Sequence, residues 1–471
     1  MAIDILPEVA LLGMFNFYMD EGQVEEWQTL VHVCRRWRII VFGSPRRLNL
    51  RLLFTARTSI REMLDVWPPL PIVVRSDGHE KWGVENIFAA LKYNDRICQL
   101  CLIRSPVSQM EKVMAAMQKK PFPVLTGLYI RPKDGFGLNI PPIDPDLFLG
   151  GSAPCLQTVT LYGVPFPRLP VLLSSATRLV YLRLWFIPPA GYISPEAMLT
   201  CLSVLAKLEK LEIGFAIPEN LQDQRRRHPP FLTRILIPVL TRLRLQGTSK
   251  YLEDLLAKID APLLDNLTIT FFHQPIFNTP ELIQFIDRTP KFEAHDQARV
   301  VFDPDSDGWV TFPQRFGGKI RLKIKCNEPD LLSSLAQICS SSIPPAFISA
   351  VEHLYIVEGA SRPIRLHRRI EDSPARWLEF LHPFTAVKGL YLSRTFTPHV
   401  AFVLQEFVGE RVTEVLPNLQ TLLLEENHPL GFLVEWMVPI WKFIDARQLV
   451  GKHIALSRWN GIRDVWEETE D

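Results

Sequence analysis

The sequence predicts an α/β chain, a short N-terminal helical module followed by an irregular solenoid of parallel strands and helices. Three observations carry that prediction. A six-residue pattern, apolar-x-x-apolar-x-apolar, recurs ten times between residues 97 and 424. Helical patterns and Pro-rich turns alternate with it. The first 45 residues follow a different, purely helical periodicity.

In that first segment Pro7 suits the opening turn of a helix, and Glu8 complements the positive end of its dipole. Val9, Leu12, Phe15 and Met19 then recur at helical spacing up to an acidic loop, Asp20-Glu21-Gly22. Beyond it Trp27, Leu30, Val31, Cys34, Trp37 and Val41 fall on one stripe, stopped by Gly43-Ser44-Pro45. Two or three short helices are expected. A module of roughly 40 residues rarely holds together alone, so part of this apolar surface should pack on something else. Charge is segregated: residues 4 to 26 hold six acids and no Lys or Arg, whereas residues 35 to 61 hold eight Arg and no acid. That predicts either an electropositive flank that steers an acidic partner or a solvated helix face.

The ten recurring units are ICQLCL (97), LTGLYI (125), LQTVTL (156), LVYLRL (179), LEKLEI (208), LTRLRL (240), LDNLTI (264), VEHLYI (351), VKGLYL (387) and LQTLLL (419). From 97 to 264 they start about 28 residues apart on average, the period of leucine-rich repeats. In such a repeat each short strand points its Leu positions inward, and stacking buries a core that no single unit could bury. The segments 108 to 118, 195 to 208 and 252 to 259 read as helices of the opposite side. The repeats are irregular: the Asn or Cys that usually follows the strand occurs only at Asn427. Between 264 and 351 the pattern weakens, and residues 297 to 302, 308 to 312 and 319 to 325 look like strands without the full signature. The expected division is a helical module over 1–46, a connecting or N-capping segment over 47–95, the solenoid over 96–430 and a C-terminal cap over 431–471.

Composition removes several function classes. Lys plus Arg number 52 against 51 Asp plus Glu, so no global field favours nucleic acid or an anionic membrane. MAIDILPEVALL has no basic n-region, and no apolar run approaches the ~18 residues that span a bilayer. An intracellular protein, cytoplasmic or nuclear, is expected. Its seven scattered cysteines suit reduced thiols, and a glycosyl group at Asn266-Leu267-Thr268 is not expected. Asp303-Pro304-Asp305-Ser306-Asp307-Gly308 opens like a calcium loop with Val310 in place. Gln314 stands where a bidentate Glu belongs, however, and strand-like flanks favour an acidic hairpin turn. Cys98 and Cys101 have C-x-x-C spacing within a strand, without a second ligand pair, and read as two packed thiols. The Arg225–His228 run precedes Pro229-Pro230 and reads as a solvated loop. Trp185, Phe186, Phe271, Phe272 and Tyr355, at or just past repeat strands, are candidates for a recognition surface or for core. No phosphate loop, nucleophile elbow or H-E-x-x-H is present, so no enzyme, cofactor, metal site or catalytic residue is expected.

Leu6-Pro7, then Leu11, Leu12 and Phe15, then Trp27, Leu30, Val33, Cys34 and Trp37-Arg38 resemble an F-box, with its LP opening and C-x-x-W-R ending. The phrases WQTLVHVCRRWR, FGSPRRLNLRL, YLEDLLAKIDAPLL and ALSRW, with the overall order, are similar to the large family of fungal F-box-like proteins. That resemblance implies a non-catalytic substrate receptor. The N-terminal module would dock a Skp-type adaptor, and through it a cullin-RING ubiquitin ligase, while the repeats bind a target protein. Leu6, Pro7, Leu11, Leu12, Phe15, Leu30, Val33 and Cys34 would line the adaptor-facing surface or its support, and Trp37 would join them or belong to the core. The alternative is a repeat scaffold whose degenerate F-box only caps the array.

Overall fold

The computed structural model describes residues 5–20, 26–55, 60–76, 84–118, 120–133, 148–166, 168–216, 233–272, 277–303, 307–313, 318–325, 331–359, 374–407, 409–425 and 433–460. The chain divides into two compact units, Met1–Gln224 and Arg225–Asp471.

The first unit opens with three helices, α1 (Glu8–Asp20), α2 (Trp27–Val33) and α3 (Arg35–Gly43). The carbonyl of Pro7 accepts the first helical N–H bonds, from Ala10 and Leu11 at 3.0 and 3.1 Å. The single stripe expected from Trp27 to Val41 is broken in two at Cys34. Its backbone is extended (φ −160°, ψ 168°), and its Sγ accepts the N–H of Trp37 at 3.5 Å, which caps α3. Leu11, Leu12, Phe15, Leu30, Val31, Ile40 and Val41 fill the interior between the helices.

Seven parallel strands follow: β1 (Leu52–Phe54), β2 (Ile72–Ser76), β3 (Ile97–Ser105), β4 (Gly127–Pro132), β5 (Thr158–Tyr162), β6 (Tyr181–Ile187) and β7 (Lys210–Phe215). Each pairs with the next in sequence order. That order is what a repeat array produces, because every connection returns to start a parallel neighbour. The five units quoted from 97 to 208 fall on β3 to β7, and their Leu and Ile positions point to a common core. Leu156, Leu179, Leu182, Leu205, Leu208 and Leu211 are completely buried there. β1 and β2 lack the repeat signature, yet they extend the sheet through Leu52↔Ile72 and Val74↔Leu100 pairings.

The second unit contains β8 (Ile235–Leu236), β9 (Arg242–Gly247), β10 (Ile259–Asp260), β11 (Asn266–Phe272), β12 (Gln297–Phe302), β13 (Asp307–Phe312), β14 (Lys319–Lys325), β15 (His353–Glu358), β16 (Gly389–Leu392), β17 (Thr421–Glu425) and β18 (Ala455–Trp459). β8 and β10 form a separate two-stranded pair. The main order is β9-β11-β14-β13-β12-β15-β16-β17-β18. The remaining five quoted units lie on β9, β11, β15, β16 and β17, all parallel.

The region of weak pattern forms the three expected strands in an arrangement that periodicity does not announce. β12, β13 and β14 make an antiparallel meander laid into the array in reverse, so β14 pairs with β11 and β12 pairs with β15. A purely parallel solenoid is therefore interrupted by one antiparallel strand, β13. Short connections explain it, because neighbours joined by a tight turn can pair only antiparallel. The D-x-D-x-D-G stretch connects β12 to β13 in the sequence. Asp303 N donates to Asp307 O at 2.8 Å, and Asp307 pairs with Lys323 at 2.8 Å, between strands on both sides. Asp305 and Gln314 lie outside the described residues, as do Asn427 and the Arg225–His228 run.

Neighbouring repeats in this unit are tied through their helices. The Glu253 carboxylate, on the helix Ser249–Leu256, accepts the N–H groups of Glu281 and Leu282 at 2.8 and 2.9 Å. These open the next helix, Pro280–Arg288, whose free amides and positive end favour an anion. Arg288 reaches back from the far end of that helix to Leu256 O, Ile259 O and Asp260.

Candidate functional site

The residues expected to bind an adaptor separate by depth. Leu11, Leu12, Phe15 and Leu30 are buried between the helices, and Leu6, Cys34 and Trp37 are half-buried. Trp37 packs on Phe15 with ring centroids 4.7 Å apart and the rings tilted by 57°. Pro7 and Val33 are on the surface. What the helices expose is a second apolar set that helical spacing alone does not separate from the first. Val9 is 69 % exposed, Phe17 66 %, Ile39 63 % and Val33 56 %, with Ile5, Met14 and Tyr18 beside them in the sequence. Among the described residues, seven of the nineteen large apolar side chains most open to solvent fall within residues 5–39. Such a concentration makes this segment a candidate interaction surface.

The same helices are fastened to the start of the sheet. Trp27 is completely buried, its Nε1–H donates to Arg51 O at 2.8 Å, and its ring meets Trp67 edge-on at 5.0 Å. Two of the clustered arginines are structural. Arg36 donates to Leu6 O at 2.5 Å and Arg38 to Val31 O at 3.0 Å, which ties the three helices together.

On the sheet face opposite the Leu core, β4 to β7 of the first unit carry an aromatic and arginine cluster. Rings of Tyr129, Tyr162, Phe186 and Trp185 follow one another at 6.3, 6.2 and 6.1 Å. The guanidinium groups of Arg131 and Arg183 each lie 5.0 Å from the Tyr162 ring. Glu212 is buried beside them, 3.1 Å from Arg183, and accepts the Tyr181 hydroxyl at 3.0 Å. Burial, reinforced by the Glu212 charge, pushes the Tyr181 phenol up to about 12, so it stays a neutral donor. A bulge after Leu184 and a left-handed backbone at Phe186 (φ 53°) place Trp185 over Gly214. A Cβ at Gly214 would stand 2.8 Å from the Trp185 ring. Gly214→Ala is therefore expected to displace Trp185 and cost about 1 to 3 kcal/mol, read as a lower melting temperature and altered Trp fluorescence.

The outer face of the second unit is different. One row across its strands reads Arg244, Thr268, Arg321, Thr311, Arg299, Tyr355, Tyr391. Along β14, Lys319, Arg321, Lys323 and Lys325 alternate with the buried Ile320, Leu322 and Ile324. Trp309 lies between them, 5.2 Å from Lys323 Nζ and 5.9 Å from the Arg321 guanidinium. At its β15 side the face turns aromatic, with Tyr355 stacked on Tyr391 at 4.0 Å and Trp459 edge-on to both. Of the aromatic candidates, Phe271 and Phe272 are core, whereas Phe186 and Tyr355 are partly exposed on the outer faces.

Cys98 is buried, and its thiol donates to Ile72 O at 3.3 Å, while Cys101 is half-buried. Burial pushes both thiols up, away from thiolate chemistry. Among the described residues, no three His, Cys, Asp or Glu side chains stand together as metal ligands, and no helix is long and apolar enough to cross a membrane.

No family model and no curated protein matches the chain. A solved structure that it resembles is the leucine-rich repeat-containing protein LegL7 from Legionella pneumophila. That similarity spans 85 % of this chain and 98 % of that chain, at 14 % identity and a TM-score of 0.29. The sequential parallel order of the first unit, and the inward Leu positions of both units, are those of a leucine-rich-repeat-like stack, which the second unit interrupts with its reversed meander.

Proposed function

We propose that the chain is a non-catalytic substrate receptor, docking a Skp-type adaptor of a cullin-RING ubiquitin ligase through α1 to α3 and a target protein through its repeats. The observation that carries this reading is the apolar surface on those helices, with Val9, Phe17, Val33 and Ile39 open to solvent. It lies within the segment whose Leu6-Pro7 opening and Cys34-to-Arg38 ending resemble an F-box. Leu11, Leu12, Phe15 and Leu30 then act as support beneath the docking face. Such a ligase works by holding a target near chemistry supplied by other subunits, so the receptor needs no catalytic group. The reading also implies an intracellular location.

A second reading, a scaffold whose N-terminal helices only cap the array, draws on the Trp27 contacts to Trp67 and Arg51. Co-elution of the purified chain with a Skp-type adaptor on size exclusion separates the two. A receptor forms a complex and a capped scaffold elutes alone.

A further inference from the structure

We infer that the β18 end of the second unit is a self-association surface, on which β18 of one chain pairs antiparallel with β18 of a second copy. This pairing goes beyond the receptor reading and does not depend on it.

β18 is the last strand in the sheet order, and among the described residues only its β17 side is paired. The N–H of Ala455 donates to Gln420 O at 2.8 Å, so Ala455, Ser457 and Trp459 turn their backbone groups toward β17. Alternation along the strand then turns the N–H and C=O of Leu456 and Arg458 away from the sheet. Ala455, Ser457 and Arg458 are exposed. The strand is also held in place for a partner. Trp459 Nε1–H donates to Leu392 O at 3.2 Å, and its ring meets Tyr355 and Tyr391 edge-on across β17. An ordered edge of this kind is a template for another strand.

A second, independent feature lies at the same end. The helix Leu433–Leu449 is the crossover from β17 to β18. Ile440, Phe443, Ile444 and Arg447 are its buried side, whereas Val438, Trp441 and Leu449, with Val450 after them, are open to solvent. Among the described residues, these are four of the nineteen most exposed large apolar side chains. The charged residues between them, Lys442 and Asp445, cancel, so the stripe opposes no net charge to a copy of itself. The chain's formal net charge of +1 adds little repulsion.

Together the two features select the occupant. A bound peptide would cover the strand edge and leave the helix stripe wet, whereas a second copy brings a helix beside its strand and covers both. A two-fold axis at Ser457 sets Leu456 of one copy opposite Arg458 of the second copy, and the reverse. Both residues carry the outward backbone groups, so each pair exchanges its N–H and C=O bonds, and no like charges stand opposite one another.

The test is sedimentation equilibrium of the purified full chain over about two decades of concentration. A monomer–dimer equilibrium is expected, with the dissociation constant raised at least about tenfold in Arg458→Pro, which removes one outward N–H and leaves the bonds to β17 in place. Arg458→Ala keeps that N–H and should dimerise like wild type. Trp441→Asp should weaken the dimer through the helix stripe, and it carries the test if circular dichroism shows Arg458→Pro to be misfolded. A wild-type chain that stays monomeric throughout overturns the inference, whether residues 461–471 or a different partner covers the edge. A dimer that Arg458→Pro and Trp441→Asp leave intact overturns it too, as does one that Arg458→Ala weakens as much as Arg458→Pro. Loss of the dimer in Val9→Asp, Phe17→Asp would place the contact on α1 to α3 and likewise overturn it.

Discussion

Replacing Trp27 by Ala is expected to detach the three N-terminal helices from the start of the sheet. The indole is completely buried, packs on Phe42 and Trp67, and satisfies the Arg51 carbonyl. Truncating a buried Trp removes that apolar contact and leaves a cavity, a loss of about 3 to 5 kcal/mol. The loss falls locally, so the measurement is hydrogen exchange, with amides of α1 to α3 losing protection while those of β3 to β7 keep theirs. Trp27→Phe retains a ring against Trp67 but leaves the Arg51 carbonyl without its donor, and a smaller loss of about 1 kcal/mol is expected.

The second large effect is expected at Arg447. It is completely buried and donates to Val415, Leu416 and Pro417 carbonyls at 2.7, 2.9 and 3.3 Å, with its guanidinium 5.1 Å from the Phe443 ring. Burial lowers its pKa, so the carbonyls and the ring are what keep the charge tolerable there. The helix it belongs to, Leu433–Leu449, carries Pro439 in its interior, which forgoes one helical hydrogen bond. That helix depends on its tether. Arg447→Ala removes the guanidinium from the Val415 and Pro417 carbonyls, while Leu416 O keeps the Leu419 N–H at 3.0 Å, and should cost on the order of 3 kcal/mol, again read by exchange across Leu433–Leu449 and β18. Lys should not rescue it, because a single ammonium cannot span three carbonyls as a planar fork does.

Much of the array was legible because Leu spacing and strand parity are the same physical fact. LTRLRL reads as a strand because Leu243 and Leu245 must point one way, and they do. The helices near 108 and 252 were legible for the analogous reason, with Met110, Val113, Met114 and Met117, then Leu252, Leu255 and Leu256, buried at helical spacing. β1 and β2 were not, since LLF and IVVRS are too short and too uniformly apolar to show a period. The reversed meander was invisible because KIRLKIK fixes which residues face inward but not which neighbour the strand pairs with. On the N-terminal helices, apolar spacing found Leu11, Leu12 and Phe15 but could not separate an interior stripe from an outer one. Val9 and Phe17 are as apolar as Leu12, and only packing puts them outside. The unit-two basic face was readable from the alternation in β14, yet its extent depends on Arg244 and Arg299 arriving from strands distant in sequence.

Under the proposed function, adaptor docking depends on the outer surface of α1 to α3. The direct measurement is a calorimetric titration of the purified chain with a Skp-type adaptor, wild type against Val9→Asp, Phe17→Asp. Both side chains are exposed, so the variant should keep the wild-type melting temperature, unlike charges placed at the buried Leu11 and Leu12. Saturable binding by wild type that the double variant loses while still folded is the predicted result. No heat of binding with wild type, or equal binding by both proteins, would contradict it.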